Sequence, residues 1–224
     1  MQPLKITAEL MTGFASKFDW SPSIDGILAW VVQRERLGIE EFTLTQHRLD
    51  LQKPVRGLPL AVEEYEGDWW YQCSQPIFDS KGIVTHNLHR RFNVREAEKL
   101  SHDKKTKIET TKGPYKNARF QLRQHVTSEV TWYAVGDKEE IERLLSSVTH
   151  IGAKVGAGYG RVRTNGWRVE LCEETEMARF HRPLPKPFAE AHGVSGLVME
   201  WGHRPPLRIP ENRRVCVIPY ARQQ

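Results

Sequence analysis

Between Thr149 and Val162 the chain reads THIGAKVGAGYGRV, with four glycines, a tyrosine and two cations in fourteen residues. Glycine costs backbone entropy when it is ordered, so a cluster this dense marks a place where side chains are kept out of the way. Unencumbered backbone N–H groups form anion-binding concavities, and a backbone without β-carbons can lie flat against a nucleic-acid strand. Gly156, Gly158 and Gly160 are therefore candidates for contact with sugar and phosphate. Lys154 and Arg161 flank them and are placed to neutralise phosphates, and Tyr159 offers a ring on which a base can stack. The competing reading is a tight connection that only glycine permits, with Tyr159 packed inward.

Two nucleotide-binding signatures are excluded by context. A dinucleotide fingerprint follows a strand, opens a helix and reads GxGxxG, because the helix N-terminus holds the pyrophosphate. Here the glycines follow a helical pattern, open a strand and read GxGxG. No GxxxxGK[ST] is present, so there is no P-loop. Among the nine histidines, His86, His89, His102 and His125 lie in or beside a basic segment and His47 follows the first helical pattern. Any of them has the proton affinity for acid–base work near neutral pH, or serves as another polar contact. No paired base, nucleophile motif or metal-ligand spacing accompanies them, so no catalytic residue, metal or cofactor is assigned. Cys73, Cys172 and Cys216 stand far apart and read as reduced thiols.

The net charge of +5 is unevenly spread. From Leu88 to Arg123 there are eleven Lys/Arg against four acids, a local +7, so the rest of the chain sums to −2. Such a segment is the footprint of phosphate contacts, or else a solvated loop that aids solubility. Arg90, Arg91, Lys112, Lys116, Arg119 and Arg123 are the candidates to face a nucleic acid. Phe92 and Tyr115 lie among them, either to stack on a base or to anchor the segment hydrophobically. Trp69, Trp70 and Trp201 read as core or subunit-interface residues.

The elements that must position these residues follow from periodicity. Leu4–Met11 alternates as a strand. Ile24, Ile27, Leu28, Val31 and Val32 fall at helical spacing, with Gly38 placed to stop the helix. Leu58–Val62 and Trp69–Phe78 look extended, separated by Glu63–Asp68, and a basic insertion with little apolar periodicity runs from about Gly82 to Arg123. Glu129–Val135 is a strand by composition. Asp137 and Glu140 make a capping-box-like start to a helix with the stripe Ile141, Leu144, Leu145 and Val148, and Gly160–Cys172 returns as a strand. Without its insertion this is an α+β, ferredoxin-like βαββαβ order, with helices on one face of an antiparallel sheet and the other face free. The main domain is expected over residues 1–177, with the glycine loop at 152–160. From about Ala178 a proline-rich extension, 178–224, carries seven of the thirteen prolines and is expected to wrap on the main domain and end in a strand at Arg214–Ile218. The longest apolar run, Ile27–Val32, is too short to span a bilayer, and the N-terminal residues lack the parts of a secretory signal, so a cytoplasmic location is expected.

The glycine loop after a second helix resembles the RAMP superfamily of CRISPR-Cas proteins. The stretches SIDGILAWVV, KGPYKNARFQL, IGAKVGAGYGRV and WGHRPPLRIP…RRVCVIPYA, in that order, resemble the small RAMP subunits of type IV CRISPR-Cas effector complexes, counterparts of the fifth Cas family. The resemblance covers Leu4 to about Pro219. It implies a subunit that holds the 5′ handle of a crRNA, caps one end of the ribonucleoprotein and reaches a neighbour with a thumb, here residues 82–123. The implied partners are the crRNA, the multi-copy backbone RAMP subunit, a large or small terminal subunit, target DNA through the complex, and a DinG-type helicase. Asp25 and Gly26 match the family's first-helix motif without an assigned chemistry. RAMPs either bind RNA or cut crRNA precursors without a metal, so a processing endoribonuclease is the alternative. A basic adaptor or small-molecule enzyme unrelated to RNA is the second.

Overall fold

A computed structural model describes residues 1–48, 52–100, 109–113 and 116–220. Tyr115, His102, Lys104, Lys105 and Lys107 lie outside them, as does the side chain of His47. In chain order the elements are β1 (Gln2–Leu10), β2 (Phe14–Ala15), α1 (Ile24–His47), β3 (Val62–Tyr65), β4 (Asp68–Tyr71), β5 (Ile83–Arg90), α2 (Val94–Leu100), β6 (Ala118–His125) and β7 (Glu129–Gly136). There follow α3 (Lys138–Leu145), β8 (Val162–Leu171), α4 (Glu176–Phe180), β9 (Leu184–Pro185), α5 (Lys186–Ala191), β10 (Gly196–Gly202) and β11 (Arg213–Pro219). The fold is mixed α and β, built on small antiparallel sheets.

The central sheet has the order β7-β1-β8, antiparallel throughout. Leu4, Ile6, Ala8 and Leu10 point from β1 into the main core, where they meet Trp132 of β7, Val169 of β8, Ile24 and Leu28 of α1, and Ile141, Leu144 and Leu145 of α3. Burial of this apolar set is the main source of stability. Asp137 caps α3 by accepting from the Glu140 N–H at 3.2 Å, which satisfies one of the donors a helix start leaves open. On the outer side of β7, among the described residues, the sheet continues in single bridges at Leu60, Cys73 and Ile77. The face away from the helices is not uniformly free, as Thr7 and Thr131 are buried there with hydroxyls 3.4 Å apart.

Gly38 interrupts α1 with a non-helical φ of 73° and ψ of 166°, ending the first helical stretch where the sequence places its stop, and a second stretch runs on to His47. Glu63–Asp68 is not a separator; it contains most of a β3–β4 hairpin that turns at Glu66 and Gly67, both with positive φ. Among the described residues, the basic insertion carries a two-stranded antiparallel arm. β5 and β6 pair over eight residues, from Ile83↔His125 at the base to Arg90↔Ala118 at the tip, and β2 extends the base by pairing with β6.

The C-terminal part forms a second sheet, β10-β11-β9, with a small core of its own around Trp70, Leu184, Phe188, Ala189 and Val217. It is tied to the first helix through a buried ion pair, Arg182 to Asp25 at 3.1 Å. Arg182 also donates to the carbonyls of Tyr71, Cys73 and His203. This gives Asp25 its role: a carboxylate removed from water is tolerated because a guanidinium is locked against it. Cys73 and Cys216 are buried, which pushes both thiols up to about 12 and leaves them protonated near neutral pH. Among the described residues no helix is long and apolar enough to cross a membrane.

Candidate nucleic-acid interface

The glycine loop is pinned at both ends by backbone. Gly160 donates to the Gly13 carbonyl at 3.0 Å, Ile151 donates to Gly160 at 2.8 Å, and Ala153 donates to Ala15 at 2.7 Å. Thr12 ties the middle, its hydroxyl donating to the Gly158 carbonyl at 2.9 Å while accepting from the Arg161 N–H at 3.0 Å.

The glycines fall into two kinds. Gly152 (φ +83°) and Gly160 (φ +66°) are forced by the fold, since a β-carbon there would sit 2.6 Å from the Ala15 oxygen and 1.9 Å from the Ile151 oxygen. Gly160 therefore packs on its own chain, and the expectation that its missing β-carbon makes room for a ribose-phosphate is corrected. Gly156 and Gly158 face open space. Gly158 needs its left-handed φ of +87° for the turn, whereas Gly156 has neither a positive φ nor a neighbour to require glycine.

This loop lies along the arm. Lys154, itself left-handed at φ 58°, places its ammonium 4.8 Å from the centre of the Phe120 ring, a cation–π contact. Tyr159 is half-buried with its ring centre 5.5 Å from that of His86, whose Nε2 is 2.7 Å from the Gln124 Oε1. Lys154, Gly156, Gly158 and Tyr159 thus share one surface with His86, Phe120 and Gln124.

The arm's register divides the remaining candidates. His86↔Leu122 and Leu88↔Phe120 turn toward the loop, so Thr85↔Arg123, Asn87↔Gln121 and His89↔Arg119 occupy the opposite face. Arg119 and Arg123 are therefore not beside the glycines. Arg119 donates to Asn87 at 3.3 Å and Arg123 lies 3.8 Å from Asp19. Arg90 shares the loop-side face, but its guanidinium is engaged with the Lys116 carbonyl at 2.9 Å. Arg91, Lys112 and Lys116 lie exposed beyond the paired strands, Lys112 being 3.4 Å from Glu109. Arg161 is exposed at the foot of β8. Phe92 is half-buried, with its backbone N–H donated to Asn117 at 3.0 Å.

His125 is a core residue. Its ring stacks on Phe14 at 5.1 Å and meets Phe78 edge-on at 5.0 Å, the three rings forming a mutual cluster. Burial lowers its proton affinity, and Arg123 adds to this while Asp19 opposes it. Sequence reasoning missed Phe120, Thr12 and Gln124 as parts of this surface. The signal was present in ARFQLRQH, where alternate residues read as a strand once the cations are set aside.

Residues 2–219 match the family described as CRISPR type IV associated protein Csf3. A match over nearly the whole length makes this a type IV CRISPR-associated protein, as the four sequence stretches implied. The chain belongs to the Csf3 family. Among curated proteins there is no match. Among solved structures, a chain from the cryo-EM structure of the type III-B Cmr-beta complex bound to cognate target RNA is 12% identical with a TM-score of 0.36. The likeness covers 76% of this chain and 61% of that one.

Proposed function

We propose that the protein holds the 5′ handle of a crRNA and caps one end of a type IV effector ribonucleoprotein, without cutting RNA itself. Family membership supports the setting. The observation that carries the binding role is the pair Gly156 and Gly158, bare and open to solvent, beside Lys154 and a long basic hairpin. Sheet order β7-β1-β8, with bridged segments outside β7, supports reading the main domain as a ferredoxin-like βαββαβ unit, the β5–β6 arm as its thumb and residues 178–224 as its extension. The arm would reach the multi-copy backbone subunit, and a large or small terminal subunit would complete this end. Guide pairing would then read foreign DNA, with a DinG-type helicase as a later partner. A cytoplasmic location accords with this role.

The test is binding of repeat-derived RNA by the purified chain across a salt series. Affinity should fall steeply with salt as counterions are released, and Lys154→Ala with Arg161→Ala should weaken binding and flatten the slope by about two units. Unchanged affinity in that double variant removes the glycine loop from the interface. A second reading, crRNA processing, is favoured by one contact, His86 beside Tyr159 and Gln124 on the same surface. Repeat RNA left intact by the wild-type chain in EDTA counts against it; a cut abolished by His86→Ala establishes it.

A further inference from the structure

On the arm face turned away from the glycine loop, we propose a second contact surface that stacks a base of a single-stranded nucleic acid on the rings of Phe18, Trp20 and Trp201. The proposal rests on the reading above in one respect, that the chain works on nucleic acid. It concerns a different face and a different strand segment.

The rings come from two distant parts of the sequence. Phe18 and Trp20 lie nearly parallel, with centres 4.8 Å apart and planes 27° apart. Trp201, on β10, meets both edge-on at 4.8 and 5.6 Å. None of the three belongs to either buried apolar cluster, and each keeps part of its surface in water. The part of these three rings left in water is a flat apolar surface that a ligand with a planar apolar face would cover.

Charge decides what kind of ligand fits. Lys17 sits 5.1 Å from the centre of the Phe18 ring. Asp19, between the two stacked rings in sequence, reaches Arg123 at 3.8 Å and so fixes the platform beside the arginine face. From there Arg123, Gln121 and Arg119 run outward along β6 on one side of the strand, opposite Thr85, Asn87 and His89. An aromatic platform continued by a row of cations and amides suits a base followed by its phosphates. An apolar peptide would leave those cations without partners. The two arm faces would then hold two segments, the guide handle against the glycine loop and another single strand against the platform.

The full chain is titrated with labelled oligomers of about ten nucleotides, oligo(U) and oligo(dT), and with abasic oligomers of equal length and charge. Wild type should bind the normal oligomers about tenfold more tightly than the abasic ones. That difference should survive Tyr159→Leu, disappear in Trp20→Leu and in Trp201→Leu, and be unaffected by Arg123→Gln, which weakens both ligands alike. Preference for uridine or thymidine assigns the strand as RNA or DNA. Equal affinity of wild type for normal and abasic oligomers, with repeat RNA still bound, overturns the platform and leaves the handle-binding role standing; the rings would then belong to a protein contact. Loss of the difference in Tyr159→Leu alone also overturns it, by assigning the stacking to the glycine loop. Failure to bind repeat RNA or any oligomer overturns both readings.

Discussion

Arg182 and Arg204, in the C-terminal part, have almost every donor engaged within the chain. Arg182 reaches the Asp25 carboxylate at 3.1 Å together with three backbone carbonyls. Arg204 reaches Asp68, the Asn212 side chain at 2.7 Å and the carbonyls of Trp69 and Glu211 at 3.1 and 3.0 Å. On the arm, among the described residues, Arg119 donates to Asn87 at 3.3 Å and Arg123 pairs with Asp19 at 3.8 Å. Arginine counts therefore say little about function. A guanidinium with its forks filled indoors is part of the fold, and one left with open donors is available to a polyanion.

The sharpest way to break that contrast is Arg182→Met. It strands Asp25, which is fully buried, without a counter-charge, and should cost about 3–5 kcal/mol in a urea melt. Arg119→Ala should stay within about 0.5 kcal/mol. A small cost for Arg182→Met would mean that the two sets of arginines differ only in position.

Next in size is a pH effect in the same C-terminal cluster. His203 is fully buried, its Nε2 3.1 Å from the Asp68 carboxylate, and burial pulls its pKa from 6.5 down to about 4 against the pull of that carboxylate. The folded protein thus keeps this ring neutral while the unfolded chain takes up a proton below pH 6.5. The associated stability is present above pH 6.5 and is lost as pH falls from 6.5 toward about 4, up to about 3 kcal/mol. In the wild type stability should fall across that window, and in His203→Gln the curve should be flatter. Burial also acts on Asp68, but His203, the Trp69 N–H and Arg204 outweigh it and hold its pKa low, so its own loss comes at more acid pH. A flat wild-type profile between pH 4 and 6.5 would place His203 in contact with water.

Much of the main domain was legible because its strands and helices carry one-sided apolar patterns: Leu4, Ile6, Ala8 and Leu10 on β1, Ile141, Leu144 and Leu145 on α3. The arm was not, since β5 and β6 show water on most positions, with Leu122 and His125 the buried residues of β6. On β6 the alternation of Ala118, Phe120 and Leu122 emerges only once the cations between them are set aside, which is why the arm was hard to read. Asp25 was equally opaque, because its partner Arg182 lies far along the chain. The glycine loop was recognised as a unit, yet composition could not separate glycines required by packing from glycines that leave room.

That separation is itself measurable, and it is the smallest effect expected. Gly160→Ala must fit a methyl 1.9 Å from a backbone oxygen at φ +66°, so it should destabilise by at least about 2 kcal/mol and lose RNA binding only as the fold loosens. Gly156→Ala meets nothing within 4 Å, and by restricting the unfolded chain it should raise stability by up to about 1 kcal/mol. If ribose and phosphate press against this backbone, the same harmless methyl should weaken repeat-RNA binding at constant salt slope, because it removes contact without removing charge. A stabilised Gly156→Ala variant that binds repeat RNA as tightly as wild type would show that the open glycines leave room for nothing, and would move the interface out to the exposed arginines of the arm.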